Sequence, residues 1–250
     1  MTTLDAVIPG LNEERILANT VDTLSEFMAS NMADYDWRVV IADNGSTDAT
    51  QDIGLRLAEQ SSRVQYLRLE QRGRGRALKH AWTQSDADVM AYMDMDLATD
   101  LASLPTMATA IARDGYDVAF GSRLRRGAEV IGRSPKREFI SRCYSLIFRS
   151  MFLTGFVDAQ CGFKAVSRRV VEQVLPLVRD TGWFFDTELL ILCEKNGYRV
   201  REIPVRWVDD PDSRVRIVST AVEDMKGLLR LRFGGLRESR EILNRYRQNR

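Results

Sequence analysis

The stretch "AYMDMDLATD" places Asp94, Asp96 and Asp100 where an apolar run ends. Asp94 and Asp96 are two residues apart, so on a strand they share a face and bring like charges together. Such a pair is unfavourable unless a cation or a surrounding loop compensates it. Hard divalent ions such as Mg²⁺ or Mn²⁺ do so with few protein carboxylates, completing their shell with water and substrate phosphates. The competing reading is a loop carboxylate that caps the next helix, and Asp100, ahead of "LASLP", fits that role.

Other polar stretches carry compatible chemistry. In "ADNGSTDAT", Asp43 offers a carboxylate to a ribose or nucleobase, Gly45 permits a tight turn with close backbone approach, and Ser46 or Thr47 can cap the following helix. Pro9, Asn12 and Glu13 in "PGLNEE" are placed to line the same crevice. "QRGRGRALKHAW" sets Gly73 and Gly75 among Arg72, Arg74 and Arg76 ahead of a helix, an anion-binding arrangement without the full phosphate-loop or dinucleotide spacing. His80, the single histidine, falls in that helix and reads as surface or packing. Arg123 in "GSRLRRG", with Arg133, Lys136 and Arg137 after it, forms a basic cluster whose guanidinium forks match phosphate oxygens. A solvated basic surface is the bland alternative. Further on stand Asp158, Gly162, Phe163 and Lys164 in "DAQCGFKAVSR", Asp186 and Glu188 in "WFFDTELL", and Arg214 and Arg216 in "DDPDSRVR".

The elements that must position these residues follow from hydrophobic periodicity. "LDAVIP", "WRVVIAD", "VQYLRLE", "DVMAYMD" and "YDVAFGS" read as buried strands, and the segments near 13–30, 47–61, 74–85 and 101–113 as helices. Repeated strand–helix order predicts an α/β fold, a mostly parallel sheet with helices on both faces, whose ligands sit beyond the carboxyl ends of the strands. The polar loops fall at those ends. After residue 123 the pattern loosens: a basic amphipathic helix over 136–152, a helix in "VRDTGWFFDTELLILCEKNG", one last strand in "YRVREIPVRWV", and one or two basic amphipathic helices over 217–248, broken at "FGG".

At 250 residues and 44% hydrophobic the chain has enough apolar content for a full core. Its net charge of +1 conceals an asymmetry, with 10 Lys and Arg against 19 Asp and Glu in residues 1–122 and 26 against 16 in residues 123–250. The acidic half points to a cation site and the basic half to an anionic partner. Three scattered cysteines, Cys143, Cys161 and Cys193, argue against a disulfide framework or a zinc cluster and for a reducing, cytoplasmic compartment. The N-terminus lacks a signal-peptide pattern, and the greasiest stretch, 145–157, is interrupted by Arg149 and shorter than the ~20 residues that span a bilayer. Aromatic residues are not interleaved with basic ones on an evident strand platform, which argues against nucleic acid as partner.

Taken in order, "VIPGLNEE", "IADNGSTDAT", "RGRGRALKHA", "DMDLATD", "FGSRL", "DAQCGFKAV", "FFDTELL" and "EIPVRW" resemble an inverting family 2 glycosyltransferase of the Rossmann-like GT-A fold, of the dolichol- or polyprenyl-phosphate type. "PKREFISRCY", "DTGWFFDTELL" and "VDDPDSRVRI" are similar to actinobacterial polyprenyl-phosphate sugar synthases, including the N-acetylgalactosaminyl type. The resemblance implies a GT-A domain over 1–220, with a nucleotide-sugar and metal half over 1–122 and an acceptor half over 123–220, followed by basic amphipathic helices over 221–250. Pro9, Asn12, Glu13, Asp43, Gly45, Arg76 and Asp94 would hold the nucleotide, and Asp94 and Asp96 the Mg²⁺ or Mn²⁺ on its diphosphate. Arg123, Arg133, Arg137 and Arg214 would receive the lipid phosphate. Two positions depart from the pattern: Asn44 stands where the family often has a second acid, and Ala98 where mannosyl synthases usually have Gln.

A lipid phosphate is anionic at neutral pH and attacks the sugar C1 without a strong protein base, so the implied chemistry is alignment and electrostatics by Asp94, Asp96 and Arg123, with Asp158 assisting. The expected enzyme transfers a sugar from a nucleotide donor, UDP-linked by preference (UDP-GalNAc or UDP-Glc), to polyprenyl phosphate. It would sit peripherally on the inner face of the cell membrane and use a small integral membrane protein as a partner. The alternatives are a GDP-mannose-dependent mannosyltransferase, transfer to a hydroxyl with a carboxylate as base, and a non-catalytic nucleotide-sugar or membrane-binding scaffold.

Overall fold

In a computed structural model the described residues are 1–209 and 217–248, with the side chains of 217–219 outside the description. Chain order is β1 (Thr2–Gly10), α1 (Leu17–Asn31), β2 (Tyr35–Asp43), α2 (Thr50–Gln60), β3 (Val64–Arg68), α3 (Arg74–Gln84), β4 (Val89–Met93), α4 (Leu104–Ala112) and β5 (Val118–Ser122). The second half adds β6 (Glu129–Ile131), α5 (Pro135–Phe152), β7 (Phe163–Ser167), α6 (Arg168–Gln173), α7 (Phe185–Lys195), β8 (Val200–Pro204), β9 (Arg206–Val208), α8 (Ile217–Arg230) and α9 (Leu236–Gln248). The break expected at "FGG" is a wide turn of helix at Leu231–Gly235, where Phe233 and Gly234 leave helical geometry.

Seven strands form one sheet in the order β3-β2-β1-β4-β7-β5-β8. The neighbours β3–β2, β2–β1, β1–β4 and β5–β8 are parallel, whereas β7 runs antiparallel to both β4 and β5. The sheet is therefore mostly parallel, as read from the strand–helix order, with one reversed strand that the order did not disclose. Period-two alternation divides the core. Leu4, Ala6 and Ile8 of β1, Val39 and Ile41 of β2 and Ala91 of β4 pack against α1, α2 and α4. Val7, Val40, Met90 and Tyr92 face α3, α5, α6 and α7 on the other side, where Leu228 of α8 and Leu243 of α9 join them.

The final strand expected in "YRVREIPVRWV" is two, separated at Val205: β8 joins the main sheet while β9 pairs with β6 and bridges Thr99 to Trp207. This small second sheet lies against the loop that follows β4. The long helix α5 is set by Ser134, whose Oγ accepts from Arg137 N, and by Pro135 at its first position, and it ends at Leu153 in the left-handed region. Its inner face carries Ser145, Phe148 and Phe152, and Phe148 is 1% exposed, stacked on Phe156 at 5.4 Å between centroids. Phe148→Ala should cost about 3–5 kcal/mol in urea denaturation, the range for deleting a buried aromatic. A loss under about 1 kcal/mol would mean that α5 does not share the main core.

Candidate active site

The ends of β1, β2 and β3 are in register, with Gly10 opposite Asp43 and Asp43 opposite Arg68. Here the structure gathers the residues expected to hold a nucleoside. Asn12, in the left-handed region at φ 58, donates its backbone N–H to Ser46 Oγ, and its side-chain Oδ1 accepts from Thr47 N at 2.8 Å. Glu13 N donates to Thr50 Oγ1 at 2.9 Å, and half-buried Pro9 is the last but one residue of β1. Gly45 has φ 78, and a Cβ there would come within 3.2 Å of the carbonyls of Leu69 and Glu70. Asp43 is wholly buried; Oδ1 accepts from Ser46 N, and Oδ2 accepts from Tyr66 OH at 2.5 Å and Arg68 at 2.9 Å. Its oxygens thus brace the loop. Ser46 turns to Asn12 instead of capping α2, whose Thr50 N–H is met by Asp48 at 3.0 Å. Asn44 Oδ1 accepts from Gly73 N at 2.7 Å, tying this loop to the glycine–arginine stretch.

The glycines of that stretch serve packing. A Cβ on Gly75 would lie 2.6 Å from Phe185, so the glycine lets α3 meet the start of α7. Arg76 donates to Gln71 Oε1 at 2.7 Å, whereas Arg74 turns inward. Its guanidinium donates to Asp94 Oδ1 at 2.5 Å and Asp186 Oδ2 at 2.7 Å, with the rings of Tyr92 and Trp183 at 5.0 and 5.2 Å. Lys164, fully buried on the reversed strand β7, pairs with Asp186 at 3.1 Å, and Tyr92 OH donates to the same carboxylate. These cations pull the Asp186 carboxyl below its ordinary value in spite of its burial.

Asp94 sits on Gly162. A Cβ at that glycine would fall 1.7 Å from Asp94 Oδ2, and Asp94 N donates to Gly162 O at 3.1 Å. Asp96 is exposed, two residues further, and its Oδ1 accepts from Ala98 N at 3.0 Å. Asp100 is the helix cap that the sequence indicated, accepting from Ala102 N at 2.9 Å. Beside Asp96 opens a cleft of about 630 Å³, bounded by Phe27, Leu97, Leu101 and Val208. No three metal-ligating side chains converge among the described residues. One half-buried and one exposed carboxylate suit a divalent ion that arrives with a diphosphate and takes most of its ligands from phosphate and water.

Across the site Arg123 grips Asp158 in a fork, Nε to Oδ2 at 2.8 Å and Nη2 to Oδ1 at 3.0 Å, and its backbone N–H adds a third bond at 2.9 Å. Buried though it is, Asp158 is held down at about 2 by that guanidinium. Arg133 and Arg123 share the Trp207 ring, at 5.8 and 5.5 Å from its centroid. Burial and the adjacent Arg123 charge lower the Arg133 guanidinium, which reaches Glu138 at 3.0 Å. Arg137, in the first turn of α5, is paired with Asp209. Arg214 lies outside the described residues. The structure thus brings Arg123, Arg133 and Asp158 together, with Arg137 engaged beside them.

A family model matches residues 5–175, from most of β1 through α6. The chain belongs to glycosyl transferase family 2. As a family 2 glycosyltransferase it is 36% identical over 216 residues to the glycosyltransferase AglD of Haloferax volcanii, spanning 86% of this chain and 34% of AglD's length. It is 27% identical to a dolichyl-phosphate beta-glucosyltransferase of Dictyostelium discoideum, over 92% of this chain and 74% of that one. A yeast dolichyl-phosphate beta-glucosyltransferase (Saccharomyces cerevisiae) is 28% identical over 93% and 75% of the two chains. The fold is GT-A: glucosyl-3-phosphoglycerate synthase from Mycobacterium tuberculosis, solved with Mn²⁺, UDP-glucose and phosphoglyceric acid, superposes with a TM-score of 0.70 at 16% identity, covering 93% of this chain and 80% of that one.

Within this family 2 scaffold, no local pattern signals that Arg74 turns inward to the carboxylates, or that Trp207 lies under two arginines. A usable signal did exist for Lys164, a lone lysine in the apolar strand "FKAV", because a buried cation must have a carboxylate partner. Gly162→Ala should displace Asp94 from Arg74 and abolish sugar transfer, lowering the thermal transition while the circular dichroism spectrum keeps its folded form; retained activity would show that Asp94 need not occupy its present position. Because Asp158 is lowered from 3.8 to about 2, its pair contributes stability above about pH 4 that is lost as pH falls toward 2. Urea melts at pH 6 and pH 3 should show Asp158→Asn destabilised by about 3–5 kcal/mol at pH 6, since it strands a buried arginine, with a smaller deficit at pH 3.

Proposed function

We propose that the chain moves a hexose from a UDP-sugar to a polyprenyl phosphate, with inversion at the anomeric carbon. The observation that carries this reading is the state of the two buried carboxylates beside Asp94. Asp158 and Asp186 are both locked in ion pairs and held below their ordinary values. A hydroxyl acceptor needs a general base, and a carboxylate so tightly paired is a poor one. An acceptor that brings its own charge needs none. The arginines over Trp207 supply what such a phosphate requires, with Arg123 and Arg133 orienting the attacking oxygen and Arg137 completing its surround.

On the donor side, Pro9, Asn12, Glu13, Asp43, Gly45 and Arg76 shape the nucleoside end of the crevice, and Asp94 and Asp96 hold a divalent ion on the diphosphate. That Mg²⁺ or Mn²⁺ supplies the positive charge that offsets the departing nucleoside diphosphate. Residues 1–122 form the donor half and 123–220 the acceptor half. The dolichyl-phosphate glucosyltransferases among the relatives support a lipid phosphate and favour glucose over the N-acetylgalactosaminyl type that the motifs resemble. The Ala98 position argues against GDP-mannose.

The outer face of α5 fits a lipid substrate. Phe139, Arg142, Leu146, Arg149 and Leu153 are exposed along it, a stripe of apolar and basic residues suited to the interface of an anionic membrane. No described helix is long and apolar enough to cross a membrane. Peripheral attachment at the cytoplasmic face, with 221–250 and a small integral membrane protein assisting, completes the proposal.

The test is a donor-by-acceptor panel with the full chain: radiolabelled UDP-glucose, UDP-N-acetylgalactosamine and GDP-mannose, each with Mn²⁺ and either polyprenyl phosphate or the parent polyprenol. Labelled lipid should form from a UDP-sugar with the phosphate and not with the alcohol, and chelation should stop it. Asp96→Ala should lower turnover at least about 100-fold, a loss of roughly 3 kcal/mol in transition-state stabilisation. Lipid product from none of the donors, or equal transfer to the alcohol, would overturn the assignment.

A further inference from the structure

Asp224, on α8, is a buried acid to which the site so far gives no role. It is 3% exposed. Its Oδ2 accepts from Gln160 Nε2 at 2.6 Å, and its Oδ1 is buried with no hydrogen-bond partner. An oxygen in that position costs free energy until a donor reaches it. The acid is also fixed in place: a Cβ on Gly227, one turn along α8, would lie 2.3 Å from Phe184, so the helix is pressed onto the start of α7.

Gln160 connects this acid to the chemistry. It lies between Asp158, which grips Arg123, and Gly162, on which Asp94 rests. It is half-buried, with its backbone N–H donating to Asp158 Oδ1 at 3.0 Å and its side chain donating to Asp224 on α8. After burial itself, and against the Gln160 hydrogen bond, the nearby acids Asp180, Glu223 and Asp186 push the Asp224 carboxyl up to about 7. Tyr144 of α5 senses it from the other side.

This environment selects its ligand. A phosphate would meet a group of carboxylates and be repelled. A metal ion would need converging ligands, and no such trio exists among the described residues. A neutral O–H group satisfies the empty oxygen at no Coulombic cost. The neutral, hydroxyl-rich part of the proposed substrates is the sugar, which must lie between the carboxylates that hold the diphosphate and the arginines that hold the acceptor.

We propose that Asp224, steadied by Gln160, accepts a hydroxyl of the sugar being transferred and so helps to set which hexose is taken. The inference rests on the nucleotide-sugar reading above and not on the identity of the acceptor.

Calorimetric titration of the full chain with UDP, UDP-glucose, UDP-N-acetylgalactosamine and a series of deoxyglucose UDP donors, each with Mn²⁺ and without acceptor, tests it. Asp224→Ala should leave the affinity for UDP within about twofold and weaken the preferred UDP-sugar about tenfold, the loss of one hydrogen bond to a charged group. One deoxy donor should bind the parent about tenfold more weakly than its complete counterpart, and that penalty should vanish in Asp224→Ala. An unchanged deoxy penalty, or equal weakening of UDP and UDP-sugar, would overturn the proposal. If Asp224→Ala fails to fold by circular dichroism, Asp224→Asn, which keeps the size and an acceptor for Gln160, is read in the same titration; an undiminished deoxy penalty in it again refutes the role. Because no acceptor is present, a parent that binds UDP-sugars yet fails with polyprenyl phosphate would count against the acceptor assignment alone.

Discussion

The double ion pair of Arg74 is the constraint on which the rest of the site depends. One guanidinium, buried between two aromatic rings, joins Asp94 at the end of β4 to Asp186 at the start of α7. Lys164 on β7 completes the set, so two cations and two carboxylates are balanced inside a region of low dielectric. Removing Asp186 would strand Arg74 and the fully buried Lys164, which is far more costly than the pairs themselves are favourable. Packing follows the same requirement. Gly75 lets α3 approach Phe185, and Gly162 leaves room for the carboxylate that Arg74 holds. Asp94 is therefore already positioned and charge-compensated before any ligand enters.

Sequence patterns with a short period were legible. The five strands of the first half and the helices between them came from runs and amphipathic spacing, because each buries one face of a regular element. The carboxyl-end loops could be singled out for the same reason: their residues were too polar and too varied for plain turns. What was not legible was set by contacts between distant segments. Strand β7 is not among the elements expected from the sequence, since "GFKAV" is short and interrupted by a lysine, and only its pairing with β4 and β5 places that lysine against Asp186. The single last strand became two because Val205 changes sheets, a choice made by the loop after β4 and not by local propensity. Asp43 looked like a ligand for a nucleoside from its position, yet its oxygens brace its own loop through Tyr66 and Arg68, partners that reach it from β3.

The two sides of the crevice use opposite electrostatic strategies. Around Asp94 and Asp186 the acids are offset internally by Arg74 and Lys164. On the other side Arg123 and Arg133 share an aromatic ring, and the second guanidinium is lowered by the first. A shared fold does not by itself fix the chemistry run on it. The chemistry taken by any one chain is then decided by side chains added after β5.

The reversed strand β7 also bears on how the molecule is made. Asp94 leaves the ribosome well before Gly162, the residue it rests on, and before Lys164 and Asp186, which complete its charge balance. The first four strands pair in parallel and can assemble early, but β5 has no place beside β4 until β7 inserts between them. A nascent chain thus passes through a stage with an open sheet edge at β4 and an incomplete set of buried charges. Such non-local closure slows folding and exposes a pairing edge, so this stage is where the chain is most vulnerable to aggregation and most dependent on chaperones.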